Sequence, residues 1–409
     1  MARLLTRRKF VYVSGIAVAA TAATACGGGT TPTEPTAAPA EPTAAPAATA
    51  APAAPAATTA PAAPESKYSE APELAEKVAS GELPPVDERL PLEPLVLNPV
   101  HEVGQYGGVW RQLHMGTTDL AQNSYKTYEF LGKFNPDGVI EPNVAKGWEF
   151  SEDGTSITIY LREGMKWSDG APFTTADVAF WWNDIVLNDE LTPAKPAFLK
   201  RGGELGTLEI VDDYTFSVTW GEPYGAFYDY LSTARMWQPG HHLKQFHIDY
   251  ADEGELNALM NEEGYDLWTD LFSAQTAGSN NPGTPDLMPW IPTNFVDAPL
   301  QIWERNPYYY KVDTAGNQLP YIDRLERTLL TDAEAILLKA VAGDADFESR
   351  RLENVQNYPV LKENEEQGGY RVIMEDNAGS NIGTTFWNYA HQDEYLRELF
   401  LNKDFRIGM

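Results

Sequence analysis

Two short runs of alternating apolar and polar residues carry the clearest pattern in the chain. Trp148 and Phe150, then Ile157, Ile159 and Leu161, fall on one side of two period-two segments, and Ser151-Glu152-Asp153-Gly154 supplies a turn whose glycine is free to take positive φ. The pattern predicts an antiparallel hairpin with one buried face. A second turn, Ser168-Asp169-Gly170, leads to Thr174 and Asp177, spaced as a capping box. Val178, Trp181, Trp182 and Ile185 follow at i, i+3, i+4 and i+7, which predicts a helix that buries those four side chains.

Further along, Leu208, Ile210, Tyr214, Phe216, Val218 and Trp220 around Asp212-Asp213 predict a second hairpin. An aromatic-rich helix is expected over 223–232, and Leu256, Leu259, Met260, Leu267, Trp268 and Leu271 fit helices. A loop rich in Gly and Pro over 278–289 precedes a strand at Leu300–Arg305. Thr331 is expected to cap a helix over 332–341, with a further helix over 354–367 and a strand over 370–374.

The N-terminal end breaks with this alternation. Arg7-Arg8-Lys9 precede an apolar run from Val11 to Ala25, too short to span a bilayer comfortably, and Cys26-Gly27-Gly28 follow. Residues 1–25 read as a signal peptide; the twin arginines resemble a Tat export signal, and Ala23-Thr24-Ala25-Cys26 resembles a bacterial lipobox, with Ala23 where Leu is usual. Cys26 is then the lipidated first residue of the mature chain. Residues 26–66 are mostly Ala, Pro and Thr, have almost nothing to bury, and are read as a disordered tether. Extended at about 3.1 Å per residue, such a tether reaches roughly 100 Å. Residues 67–104 form an N-terminal extension: a short helix near Pro72, then a proline-spaced strap.

Composition narrows the function classes. Against 30 Lys and Arg stand 59 Asp and Glu, a net charge of -29 that opposes binding to a phosphate backbone, so no nucleic-acid partner is expected. One cysteine leaves no disulfide framework and no CxxC site. His241, His242 and His247 lack an acidic partner at useful helical spacing to His242, so no metal site is expected. No GxSxG, P-loop or HExxH motif is present, and with so many carboxylates a pair suited to glycoside hydrolysis arises by chance. No catalytic residue and no cofactor are expected.

The string from Pro142 to Phe180 closely resembles the signature of the family 5 solute-binding proteins of ABC importers, of peptide, nickel and oligosaccharide type. The match couples Pro142, Ala145, Trp148, Asp153-Gly154, Leu161-Arg162, Gly164, Trp167, Asp169-Gly170, Pro172, Thr174 and Asp177-Val178. Arg305-Asn306-Pro307-Tyr308-Tyr309-Tyr310 with Asn317 to Asp323 resembles a second family signature. The resemblance implies an α/β, periplasmic-binding-protein-like fold of type II, cluster C, with two lobes and an extra β-rich subdomain. On this reading 105–128 and 222–331 make lobe I, 129–221 the extra subdomain and 332–409 the start of an incomplete second lobe. Family members continue past this point, so the chain looks C-terminally truncated and is expected to bind ligand weakly or not at all.

The resemblance also implies a monomeric extracytoplasmic receptor that delivers a peptide or oligosaccharide to ABC permease subunits, held at the membrane by its lipid anchor. A secreted hydrolase and a non-transport surface lipoprotein, sensor or adhesin, are the alternatives. In the family the segment after the first lobe I strand lines the cleft, which makes Met115, Tyr125 and Tyr128 candidate ligand contacts. Trp387 and Asn388 fall at the family's inner-face strand and complete the candidates.

Overall fold

The computed structural model describes residues 66–116, 119, 129–276, 281–374 and 386–409; the proposed signal peptide, Cys26 and nearly all of the tether lie outside them. Its strands in chain order are β1 (Leu95–Leu97), β2 (Val109–His114), β3 (Gly132–Phe134), β4 (Ile140–Pro142), β5 (Ala145–Phe150), β6 (Ser156–Leu161), β7 (Lys200–Arg201) and β8 (Glu204–Leu205). β9 (Thr207–Asp212), β10 (Thr215–Thr219), β11 (Trp290–Pro292), β12 (Leu300–Arg305), β13 (Lys311–Asp313) and β14 (Arg324–Leu329) follow. Among the described residues they form two four-stranded sheets, β5-β6-β10-β9 and β11-β12-β14-β2, and the pairs β1-β13, β3-β4 and β7-β8.

Both predicted hairpins lie in the first sheet. Trp148 stands opposite Ile159 and Phe150 opposite Ile157, and Gly154 in the turn takes a φ of 68°. Ile157, Ile159, Phe216 and Val218 are fully buried, whereas β9 lies at the sheet edge and leaves Ile210 exposed. The capping box forms as expected: the Thr174 hydroxyl accepts from Ala176 N at 3.2 Å, and Asp177 Oδ2 accepts from Thr174 N at 3.0 Å. The helix itself departs from the expected spacing. After Thr175–Phe180 it widens to a π-helix over Trp181–Val186, where Leu187 N donates to Trp182 O. A π turn bonds residues five apart, so the residue that completes the buried stripe is Val186, and Ile185 is only half-buried.

A carboxylate sits inside the core that this sheet builds. Glu129 Oε1 accepts from the Tyr309 hydroxyl at 2.6 Å and from Lys311 Nζ at 3.0 Å. Its Oε2 accepts from Asn143 Nδ2 at 2.7 Å, from Lys311 Nζ at 2.9 Å and from the Tyr310 hydroxyl at 3.0 Å. Burial alone pushes such a carboxyl up, but the charges of Lys311 and Lys133 and the Tyr309 hydrogen bond outweigh it and hold Glu129 below the usual carboxylate range. Burial first, and the Glu129 charge second, raise both tyrosine hydroxyls well above their ordinary value. The cluster joins three distant segments: the chain entering β3, the β4–β5 connection and the start of β13.

The N-terminal extension is fastened to that joint. β1 runs parallel to β13, pairing Leu95 with Lys311 and Leu97 with Asp313. Arg89, fully buried, pairs with Glu70, donates to Pro307 O and reaches Gln318 Oε1 at 2.9 Å. Val86 and Leu90 pack on Val312, while Leu92 N donates to Glu163 O at 3.0 Å. The strap predicted from proline spacing therefore ties both signature segments together.

Further expectations need correction. The aromatic-rich helix expected over 223–232 is confined to Phe227–Tyr230. Asp332, not Thr331, caps the helix Ala333–Val341: its carboxylate, the stronger acceptor, takes Ala335 N at 2.8 Å while the Thr331 hydroxyl donates to Asp332. The predicted helix over 354–367 is broken into Val355–Asn357, Tyr358–Glu363 and Glu365–Gly368, the last two separated by Asn364. Residues 370–374 form no strand; the Tyr370 hydroxyl donates to Leu361 O and Val372 N to Glu365 Oε1, so these groups bond to the neighbouring helices.

Removing one partner of a buried pair leaves the other charge uncompensated, at a cost of about 3–5 kcal/mol. Glu129→Gln is expected to lose that much stability in urea unfolding, and adding Lys311→Met is expected to restore a substantial part. A loss below about 1 kcal/mol for Glu129→Gln would show that the network does not hold the core.

Candidate functional site

β2 separates two kinds of surface by its alternation. Leu113 points to a cluster with Ile336, Ala340 and Leu361, whereas Trp110, Gln112 and His114 occupy the other face. On that face the register places Gln301, Arg327 and Gln112 in line across β12, β14 and β2, with Trp303, Leu325 and Trp110 in line beside them. Gln112, His114, Gln301 and Arg327 are each 1 % exposed or less, an unusual load of polar side chains for the inside of a sheet. Arg327 Nη1 donates to Gln301 Oε1 at 2.7 Å. Both amide atoms of Gln112, Gln301 Nε2, His114 Nε2 and Trp303 Nε1 have no hydrogen-bond partner. Each such group costs on the order of 1–3 kcal/mol when nothing satisfies it.

The aromatic end of this face opens into a cavity of about 330 Å3, lined by Trp110, Trp290, Tyr309 and Tyr321 with Glu129 and Lys133. The Trp110 and Trp290 rings meet edge to face at 6.1 Å. Just past the other end, fully buried Asp119 accepts from Met115 N at 2.7 Å, from Arg350 Nε at 2.8 Å and from Arg351 Nη2 at 2.7 Å. Burial pushes its carboxyl up, but the two guanidinium groups outweigh that and hold it down. Arg351 keeps a φ of 70°, a left-handed conformation that a non-glycine residue adopts only when its surroundings impose it. His114 Nδ1 accepts from Gly116 N at 3.1 Å; burial, with Arg327 nearby, pulls the imidazole down to about 4.

The candidates from sequence fall in different places. Met115 follows β2 directly and packs, half-buried, against the Leu113 and Ile336 cluster. Trp387 lies in a separate aromatic group, 5.3 Å from Phe400 and 5.2 Å from Phe405 by ring centroids. Asn388 is exposed and its side-chain oxygen accepts from Ala390 N at 3.0 Å, a turn contact. Tyr125 and Tyr128, like Cys26, lie outside the described residues. The polar row itself escaped the sequence reading. Its one signal was Gln112 and His114 at the positions alternating with Leu113, and Gln301 and Arg327 give no hint of their partners until the register is known.

Residues 139–409 match the family described as bacterial extracellular solute-binding proteins, family 5 Middle. The chain is 32 % identical, over 83 % of its length and 51 % of the relative's, to the periplasmic alpha-galactoside-binding protein of Rhizobium meliloti (strain 1021). Among solved structures it is similar to an oligopeptide-binding protein OppA, with a TM-score of 0.71 and 39 % identity over 83 % of this chain and 54 % of that one. It is also similar to the periplasmic binding protein MelB from Agrobacterium fabrum C58 in complex with stachyose, with a TM-score of 0.59 and 30 % identity over 72 % and 45 %. The chain thus spans about half the length of these relatives. The fold class is theirs, two-lobed α/β, and among the described residues no helix is long and apolar enough to cross a membrane.

A histidine with a folded pKa of about 4 binds its proton less well than in the unfolded chain, so between the two values the unfolded state gains protons and stability falls as pH falls. His114→Gln is expected to flatten the stability profile between pH 6.5 and 4 by roughly 3 kcal/mol relative to the parent. Superimposable profiles from chemical unfolding would contradict the neutral, buried imidazole.

Proposed function

Because this chain belongs to the bacterial extracellular solute-binding proteins of family 5, we propose that it is the lipid-anchored receptor of an ABC importer, which captures an oligosaccharide or a peptide and hands it to the permease subunits. The observation that carries the reading is the similarity to the alpha-galactoside-binding relative across most of the chain, joined by a structural match to a protein solved with stachyose. The match to an oligopeptide-binding protein favours a peptide as the second reading. On this proposal residues 105–128 and 222–331 belong to lobe I, 129–221 form the β-rich subdomain, and 332–409 begin the second lobe, which closes on lobe I over the ligand. Met115, Tyr125, Tyr128, Trp387 and Asn388 stay candidate contacts of that cleft. The receptor works as a monomer and performs no chemistry; the relatives named above are binding proteins. Cys26 carries the lipid that keeps it at the outer face of the membrane.

Thermal unfolding of the mature protein in the presence of oligosaccharide and peptide panels tests the receptor reading. A cognate solute at 100 times its dissociation constant is expected to add about 2.7 kcal/mol. No shift with any solute, alongside turnover of one of them, would replace the receptor with a hydrolase. Mass spectrometry of the mature N-terminus is expected to find a diacylglyceryl-modified Cys26, and an unmodified Ala or Gly there would end the anchor proposal.

A further inference from the structure

The open cavity of about 330 Å3 has a lining that the receptor reading does not use. Four aromatic rings wall it, Trp110, Trp290, Tyr309 and Tyr321, and three of them have already committed their polar atoms. Trp290 Nε1 donates to Ile322 O at 3.0 Å, the Tyr309 hydroxyl to Glu129 at 2.6 Å and the Tyr321 hydroxyl to buried Asp313 at 2.6 Å. Those walls offer a ligand their ring surfaces rather than donors, so a solute that depends on many hydrogen bonds would lose its water here without replacement. Two charged side chains complete the lining, Glu129 and Lys133. The oxygens of Glu129 are filled by Lys311, Tyr309, Tyr310 and Asn143. Lys133 is exposed, and among the described residues its ammonium makes no hydrogen bond and no ion pair. Its charge reaches the wall nonetheless: burial pushes the Glu129 carboxyl up, and Lys133 joins Lys311 in outweighing it. With Glu129 balanced by Lys311, Lys133 is the uncompensated charge of the lining, on a chain whose net charge is -29. A cationic ligand would be repelled by it and would find no free carboxylate.

We propose that this cavity is a second ligand site, for a flat aromatic carboxylate whose ring packs against Trp110 and Trp290 and whose anionic group pairs with Lys133 Nζ. Its volume is at the low end for small-molecule pockets, which suits a single fused ring system. Trp110 lies near the start of β2 and Met115 follows the end of that strand, so the site is separate from the cleft proposed around Met115. The inference does not rest on the receptor reading, and the lining stands open in the structure as described.

Calorimetric titration of the full chain with 2-naphthoate and with uncharged 2-naphthamide, for the parent, Lys133→Gln, Lys133→Arg and Trp110→Ala, separates the alternatives, with the unfolding midpoint of each ligand-free protein as the companion measurement. The expected result is naphthoate binding by the parent, weakened about tenfold or more by Lys133→Gln, kept by Lys133→Arg and weakened about fivefold by Trp110→Ala. Naphthamide is expected to bind the parent about tenfold less tightly than naphthoate and to lose nothing further in Lys133→Gln. Both Lys133 variants alter only an exposed side chain, and they decide the matter even where Trp110→Ala fails to fold. No naphthoate binding by the parent up to about 1 mM would overturn the proposal, and equal affinity for acid and amide would overturn the role of Lys133 and the anionic class with it. Naphthoate affinity unchanged in both Lys133→Gln and Trp110→Ala would place the binding elsewhere and overturn the site.

Discussion

A carboxylate placed among tyrosines in a core has to be satisfied by donors around both oxygens, or it takes up a proton. Glu129 meets that condition with five contacts from four residues, and three of those residues, Tyr309, Tyr310 and Lys311, are consecutive in the chain. The consequence is geometric. Lys311 opens β13, so fixing its ammonium fixes the strand to which β1 pairs, and with β1 the whole strap from Ser69 to Leu97. Arg89, threaded between Glu70, Pro307 and Gln318, repeats the device one layer out: a buried cation whose partners come from the N-terminal extension and from the segments on either side of β13. Removing one member of either pair leaves a buried charge uncompensated, which costs about 3–5 kcal/mol.

The second sheet shows the opposite treatment of buried polarity. Where the Glu129 cluster is closed, the row across β12, β14 and β2 is left open, with amide atoms facing inward and unmatched. The two arrangements meet at one cavity, lined by Glu129 and Tyr309 on one side and by Trp110 and Trp290 on the other. A finished ion-pair joint thus braces one wall of a face that still has hydrogen bonds to make.

Local rules made much of this fold readable beforehand. The hairpins follow from period-two alternation, Gly154 from its turn, and the helix start from the Thr174 and Asp177 spacing. The π turn was not readable, because nothing in Trp181–Val186 distinguishes bonding five residues apart from bonding four apart. Thr331 and Asp332 are both residue types that cap, and only the backbone at 332, extended with a φ of -153°, makes Asp332 the cap. The joint was illegible for another reason: Glu129 and Lys311 are 182 residues apart, and a lone Glu and a lone Lys in sequence imply nothing about each other. The polar row depends on the parallel pairing of β14 with β2, a register that no local pattern encodes. Family resemblance identified the solute-binding family without revealing either feature, since it points to signatures rather than to the contacts between them.

If the Glu129 joint organises the molecule, the strap and both signature segments must open together. Native-state amide hydrogen exchange measures this directly through the protected amides of Leu92, Leu95, Asn143, Asp313 and Gln318. The account predicts that these amides converge on one opening free energy and one denaturant dependence. Exchange of Leu92 and Leu95 through a much cheaper, separate opening, with Asn143 and Asp313 still protected, would mean that the strap is only laid on a core that stands without it.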